Sequence, residues 1–232
     1  MRKLFKYLKT EKETSALPLN YFYLHRFGFM NIVLASASPR RAQLFKQLNL
    51  RFSISPSSAD ENSVKSSVPS ELVQKLAKIK GEDVAKRHSG SLIIAADTIV
   101  WFRKNILGKP NNEPEAKKML RMLSNQTHEV YTGVYIAVTD ARREIIDDFT
   151  FEQRTKVTFS ALTDHEINYY ISTGSPFDKA GAYGIQDDIG SLYVEKIEGD
   201  YYNVVGFPLN KFYQQLKLNM PAIHQKIFFN AS

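Results

Sequence analysis

Four groups of residues in this chain have types and spacing suited to holding a polyanion beside a hard cation. The densest is Ala35-Ser36-Ala37-Ser38-Pro39-Arg40-Arg41, where a short apolar run, Ile32 to Ala35, meets an N-capping serine and a first-turn proline. Free N–H groups and the helix dipole make such a turn an anion site, and two hydroxyls and two guanidinium groups add donors. The arrangement suits a triphosphate. The same residues also read as a capped helix carrying two exposed arginines.

Lys80 is the second. At about 100° per residue it falls within the arc of Leu72, Val73, Leu76 and Ala77, whereas Lys75 and Lys78 point away. A lysine on the core side of a helix requires an anionic partner, unless its stem snorkels at the helix end. Asp83 shares that face if the helix continues. The third group pairs Asp97, at the end of the apolar run Leu92 to Ala96, with Glu61 in the polar loop Ala59-Asp60-Glu61. Open α/β sheets place ligand groups at strand ends, and two carboxylates can hold a divalent ion against phosphate oxygens. A strand-end aspartate can equally be a turn or cap residue. The fourth is Lys109, in the tight turn Leu107-Gly108-Lys109-Pro110, where a lysine by itself reads as solvated.

Other familiar patterns are absent: there is no Gly-x-x-x-x-Gly-Lys-Ser/Thr loop, Gly-x-Gly-x-x-Gly, His-Glu-x-x-His or Gly-x-Ser-x-Gly. His128-Glu129 and His165-Glu166 lack a second histidine at ligand spacing and read as structural or surface residues.

The elements that must position these groups follow from periodicity. Ile32 to Ala35 is a buried strand, followed by a helix with Leu44, Phe45 and Leu48 on its apolar side. A helix after Pro69-Ser70 runs to about Gly81 or beyond, and Leu92 to Phe102 is extended. A helix carries Ala116, Met119, Leu120 and Leu123. Val130 to Val138 and Glu144 to Phe159 are long strands around a turn at Asp140 to Arg143. Thr163-x-x-Glu166 is a capping box opening another helix. Ser191 to Ile197 and Tyr201 to Val205 are expected to form a hairpin around Glu198-Gly199-Asp200, before a last helix over Leu209 to Leu216. This order implies a mixed α/β sheet rather than a purely parallel one.

Composition bounds the classes that remain. The chain has 232 residues, 43% hydrophobic and 24% charged, the profile of a globular protein of one large domain or two intimate lobes. No segment approaches the roughly 18 apolar residues of a membrane span. No cysteine is present, which removes disulfides, thiolate metal sites and a cysteine nucleophile. The cytoplasm is the expected compartment. Of the net charge of +7, residues 1–30 hold +4 and the other 202 residues only +3, so a general nucleic-acid surface is not expected. Residues 1–30 read as a basic, aromatic extension that supplies no site residue, 31–218 as the folded domain and 219–232 as a tail.

Taken in order, Leu34 to Arg41, Ala96-Asp97-Thr98, Gly108-Lys109-Pro110, Asp178-Lys179-Ala180-Gly181-Ala182-Tyr183-Gly184-Ile185-Gln186 and Gly199 to Leu209 resemble the Maf family. The resemblance covers about Ile32 to Leu216. It implies an elongated mixed sheet with flanking helices and a cleft between two lobes, like the inosine triphosphatase-type pyrophosphatases. It also implies cleavage of a nucleoside triphosphate between the α- and β-phosphates, with Mg²⁺ or Mn²⁺ as cofactor. By motif position Asp97 matches the acid/base aspartate; Ser36, Arg41, Glu61, Lys80 and Lys109 match the phosphate and metal residues. Glu61 and Asp97 would hold the metal, and Ser38 adds a hydroxyl to the substrate turn. Arg40, Thr98 and Gln186 match the branch acting on dTTP and UTP rather than on 7-methyl-GTP. The chain departs from the family after Gln186, where Asp187-Asp188-Ile189-Gly190 replaces a glycine-rich turn. The expected partners are the nucleotide and, at most, a second copy in a homodimer, with no nucleic acid and no membrane. Because Maf proteins are also associated with division control, a nucleotide-binding regulator with little turnover is the alternative.

Overall fold

The computed structural model describes residues 30–186 and 189–229. The expectations for residues 1–29 and for the Asp187-Asp188 turn lie outside the described residues. Seven strands form one mixed sheet: β1 (Asn31–Ala35), β2 (Phe52–Ile54), β3 (Ser91–Phe102), β4 (Asn105–Leu107), β5 (Thr127–Thr139), β6 (Ile145–Phe159) and β7 (Val194–Glu198). Their order is β2-β1-β3-β5-β6-β7, with β4 also on β3. The β1 pairings with β2 and β3 are parallel and all others are antiparallel. β6, at 15 residues, spans about 50 Å at the usual rise per residue, which makes the sheet elongated.

Among the described residues seven α-helices flank it: α1 (Pro39–Gln47), α2 (Pro69–Ala85), α3 (Glu113–Leu123), α4 (Asp164–Ser172), α5 (Tyr201–Val205), α6 (Leu209–Asn219) and α7 (Pro221–Phe229). Alternate residues of the central strands serve opposite faces. Leu92, Ile94 and Ala96 of β3 join Phe45 of α1 and Phe212 of α6 in one core cluster, while Ile93 and Ala95 join Ala77 and Val84 of α2 in another. Beyond them, Val100 and Phe102 enter a cluster with Leu120 of α3 and Tyr170 of α4. β3 is therefore the axle of the molecule, buried on both faces and shared by cores at both ends.

α2 lies unusually close to the sheet. A Cβ at Gly133 of β5 would meet the Val73 carbonyl oxygen at 2.2 Å, and one at Gly81 would meet the Tyr135 ring at 2.2 Å. Only the absence of side chains at these two positions allows that approach. A second feature is a gap in pairing along β3. β1 pairs with it only as far as Ala95, and β4 begins only at Val100, so residues 96–99 have β5 on one side and no described strand on the other.

The Thr163–Glu166 capping box is formed with both of its hydrogen bonds. Two expectations are corrected. Tyr201 to Val205 is not a strand: Asp200 accepts a hydrogen bond from the Tyr202 N–H and caps a single helical turn, which closes at Gly206 with φ of 124°. Its β-branched and aromatic residues look like a strand, but the cap and the glycine decide the geometry. The expected hairpin is consequently replaced by pairing of β7 with β6, and residues 190–193 form a 3₁₀ turn rather than the start of a strand. The segment after residue 219 also carries structure, since α7 places Ile223 in the main core. Among the described residues, no helix is long and apolar enough to cross a membrane.

Candidate active site

Asp97 lies in the pairing gap, two residues after the last β1 partner, on the α2 face of the sheet together with Ile93 and Ala95. It is opposite Gly133, the residue that admits α2. Seven residues, nearly two turns, separate Val73 from Lys80, so the lysine lies on the same side of the helix as the close contact. Its ammonium nitrogen is 2.5 Å from Asp97 Oδ1 and 2.9 Å from Glu61 Oε2. The Lys80 side chain is 15% exposed, against 53% for Lys75 and 47% for Lys78, as the helical arc requires.

Glu61 opens a 3₁₀ turn, Glu61–Ser63, capped by Asp60 through the Asn62 N–H. The preceding loop is stapled to α2. Asp83 Oδ2 accepts from the Ser58 N–H at 2.9 Å and the Ser57 hydroxyl at 3.0 Å, and Arg87 donates to the Pro56 carbonyl at 2.8 Å. The Ser58 N–H, ahead of the other donors, holds the Asp83 carboxyl below its ordinary range. Sequence reasoning noticed Asp83 only as a neighbour on the Lys80 face. Its action on a loop some 25 residues away has no local signature.

On the opposite face, α1 brings in the serine–arginine turn. Ser38 is the N-cap of α1 and accepts from the Arg41 N–H, while the buried Ser36 hydroxyl accepts from the Ser38 N–H at 3.2 Å. The Arg41 side chain is fixed by three donations: Nη1 to Ser36 Oγ at 3.1 Å, Nη2 to Thr98 Oγ1 at 3.0 Å and Nε to the Gly206 carbonyl at 2.8 Å. Burial pulls its pKa below the ordinary value, and the nearby Asp97 carboxylate opposes that pull. Thr98 is 2.9 Å from Thr132, which donates to the Asn203 carbonyl; Asn203 is itself held by Val130 and Thr155. A buried polar chain therefore runs from Arg41 through the sheet to α5. Sequence reading missed Thr132, Asn203 and Gly206 as supports, because each acts through space.

Arg40, the next residue along α1, turns elsewhere. Its Nη1 donates to Asp178 Oδ2 at 2.8 Å and its Nη2 to the Asp178 carbonyl at 3.2 Å. Lys109 is exposed on the turn after β4; that turn is tied to the 178–182 segment by the Gly181 N–H donating to the Gly108 carbonyl at 3.0 Å. Gln186 is half-buried at the end of the same segment, beside the core residue Ile185. The structure brings Ser36, Ser38, Arg41, Glu61, Lys80, Asp97 and Thr98 together just past the end of β1. Asp97 does not end a strand, as its apolar run suggested, because β3 continues to Phe102. Arg40, by contrast, pairs with Asp178 and, among the described residues, neither Lys109 nor Gln186 makes a hydrogen bond or ion pair to this group. His128 is not part of it: the ring is buried and lies 2.7 Å from the Tyr183 hydroxyl.

Two carboxylates thus converge on one ammonium group, beside guanidinium and hydroxyl donors, midway along the buried strand β3 of a mixed α/β sheet. Comparison with known proteins supplies the family. The profile of the Maf-like proteins matches residues 31–219, and the chain belongs to that family. It is 50% identical over 188 residues to the dTTP/UTP pyrophosphatase of Halalkalibacterium halodurans, covering 81% of this chain and 95% of that one. It is 47% identical over 186 residues to the dTTP/UTP pyrophosphatase of Bacillus mycoides, covering 80% and 94%. Among solved structures, the Ham1 protein of Staphylococcus aureus aligns at 17% identity over 56% of this chain and 71% of that one, with a TM-score of 0.39.

Proposed function

We propose that this chain is a nucleoside triphosphate pyrophosphatase that cleaves dTTP and UTP to the monophosphate and pyrophosphate, in the cytoplasm, with Mg²⁺ or Mn²⁺. The observation that carries this reading is the Lys80 ammonium bridging Glu61 and Asp97. The two carboxylates are already oriented to share a cation. Among the described residues no cluster of three or more metal-ligating side chains occurs, and a two-carboxylate set fits a hard ion whose other ligands are water and phosphate oxygens. Glu61 and Asp97 would hold that ion, which when bound polarises the phosphate oxygens.

The protein's own groups account for the rest. Asp97 takes a proton from a water that attacks the α-phosphorus; the new P–O bond forms as the α–β anhydride bond breaks and pyrophosphate leaves. Arg41 and Lys80 balance charge on the phosphates beside Asp97, and Lys109 does so from the turn after β4. The Ser36 and Ser38 hydroxyls shape the phosphate turn. Arg40, Thr98 and Gln186 face the base. The names of the two relatives support this choice of substrate.

A screen of UTP, dTTP, ATP, GTP and 7-methyl-GTP with Mg²⁺ or Mn²⁺, read by pyrophosphate release, tests the reading. UTP and dTTP should be cleaved fastest. Stoichiometric binding without pyrophosphate would favour the regulator, and faster cleavage of 7-methyl-GTP would overturn the base assignment while leaving the chemistry.

A further inference from the structure

Arg40 and Arg41 are consecutive on α1, yet their surroundings differ in charge. Arg41 donates its hydrogen bonds to neutral oxygens of Ser36, Thr98 and Gly206 and has no carboxylate in direct contact, though Asp97 lies nearby. Arg40 is ion-paired with Asp178, 138 residues away in the chain. That carboxylate is itself anchored. Asp178 ends the 3₁₀ turn Ser175–Asp178, and its other oxygen, Oδ1, accepts from Lys179 Nζ at 2.6 Å. The Lys179 side chain is buried and also donates to the Ser175 carbonyl at 2.6 Å. One carboxylate oxygen is thus pinned from behind and the other faces Arg40.

We propose that Asp178 is a positioning residue for substrate specificity: it holds Arg40 as a charge-balanced hydrogen-bond donor aimed at the carbonyl oxygens of a uracil or thymine base. The inference rests on the pyrophosphatase reading above. Of the five N–H donors of a guanidinium, Asp178 occupies two, leaving three to meet a ligand. A balanced Arg–Asp unit draws no triphosphate to itself, yet keeps the fixed geometry of its donors. Uracil and thymine present a carbonyl at position 4, which accepts from such a donor. Cytosine presents an amino group there, which leaves the donor unpaired. Stability does not explain the pair, because both members are partly exposed and such ion pairs contribute little to folding.

The test compares kcat and KM for UTP, dTTP and CTP in the full chain and in Asp178→Asn, Asp178→Glu, Arg40→Ala and the Arg40→Ala/Asp178→Asn double variant, with thermal melts alongside. In Asp178→Asn the UTP-to-CTP ratio of kcat/KM should fall about tenfold, the scale of one lost discriminating hydrogen bond, with the loss falling on KM more than on kcat. Asp178→Glu should recover part of the ratio, and the double variant should be no less selective than Arg40→Ala alone. An unchanged ratio in folded Asp178→Asn, or independent and additive effects of the two substitutions, would overturn the proposal. If Asp178→Asn does not fold, Arg40→Lys replaces it: this keeps the charge but loses the planar two-point contact, and an unchanged ratio there overturns the proposal equally. Failure of the wild-type chain to release pyrophosphate from UTP or dTTP would instead overturn the reading on which it rests.

Discussion

Lys80 Nζ lies 2.5 Å from Asp97 Oδ1, so the group read as a phosphate contact is also the counter-ion of the group read as the base. A divalent ion held as proposed would compete with the lysine for the same two carboxylates. Lys80→Met should therefore lower turnover at least tenfold through lost phosphate contact, yet tighten binding of Mn²⁺ to the nucleotide-free protein, because a competing positive charge is gone. Titration calorimetry with Mn²⁺ alone reads the second effect. Unchanged or weaker Mn²⁺ binding in a folded variant would show that the lysine does not compete with metal.

Asp97→Asn keeps size and hydrogen-bonding shape but removes the base and one negative charge. Turnover of dTTP should drop at least about a hundredfold, the usual scale for loss of a general base. Circular dichroism checks that the sheet persists. Near-normal turnover by the folded variant would move the proton acceptor elsewhere.

Asp83 is outside the reacting groups, and its substitution separates support from chemistry. Without the staple to Ser57 and Ser58, the loop that presents Glu61 loses its tie to α2. Asp83→Ala should raise the metal concentration needed for half-maximal activity several-fold while costing about 1.5–3 kcal/mol of stability, the scale of lost hydrogen bonds to a charged group. Activity measured across a metal titration reads this, and an unshifted curve would show that Glu61 needs no such support.

His128 gives a pH dependence of stability unrelated to catalysis. Burial drives its pKa from 6.5 down to about 3. The folded chain therefore refuses a proton that the unfolded chain accepts, so this contribution is complete above pH 6.5 and is lost progressively as pH falls toward 3. At pH 5 the loss is about 2 kcal/mol, at about 1.4 kcal/mol per pH unit. Urea denaturation at pH 7.5 and pH 5 should show a smaller difference for His128→Gln than for the wild type. Equal differences would remove His128 as the cause.

What the sequence disclosed of all this was whatever is local or periodic. The orientation of Lys80 follows from helical geometry, the cap at Ser38 from a two-residue signature, and the burial of β3 on both faces from an unbroken apolar run. Asp178, the partner of Arg40, and Gly206, one of the partners of Arg41, lie 138 and 165 residues away, and no spacing rule connects them. Family resemblance named candidate site residues but not what holds them: Thr132 and Asp83 lie in none of its motifs, and Asn203, though inside one, shows no sign in the sequence of its bonds to Val130 and Thr155. The misreading of Tyr201 to Val205 has the same origin: propensity favoured extension, while an aspartate and a glycine at the two ends fixed a turn of helix.

The pairing gap at residues 96–99 has a further meaning. A continuous sheet is a wall, and a molecule touching one side cannot sense the other. Here β1 stops at Ala35 and β4 has not begun, so groups that belong to opposite sides, Asp97 with Lys80 and Thr98 with Arg41, are reachable through one doorway. Across that opening β1 and β4 do not meet, and β5 carries the sheet past it by pairing with β3 from Leu92 to Trp101.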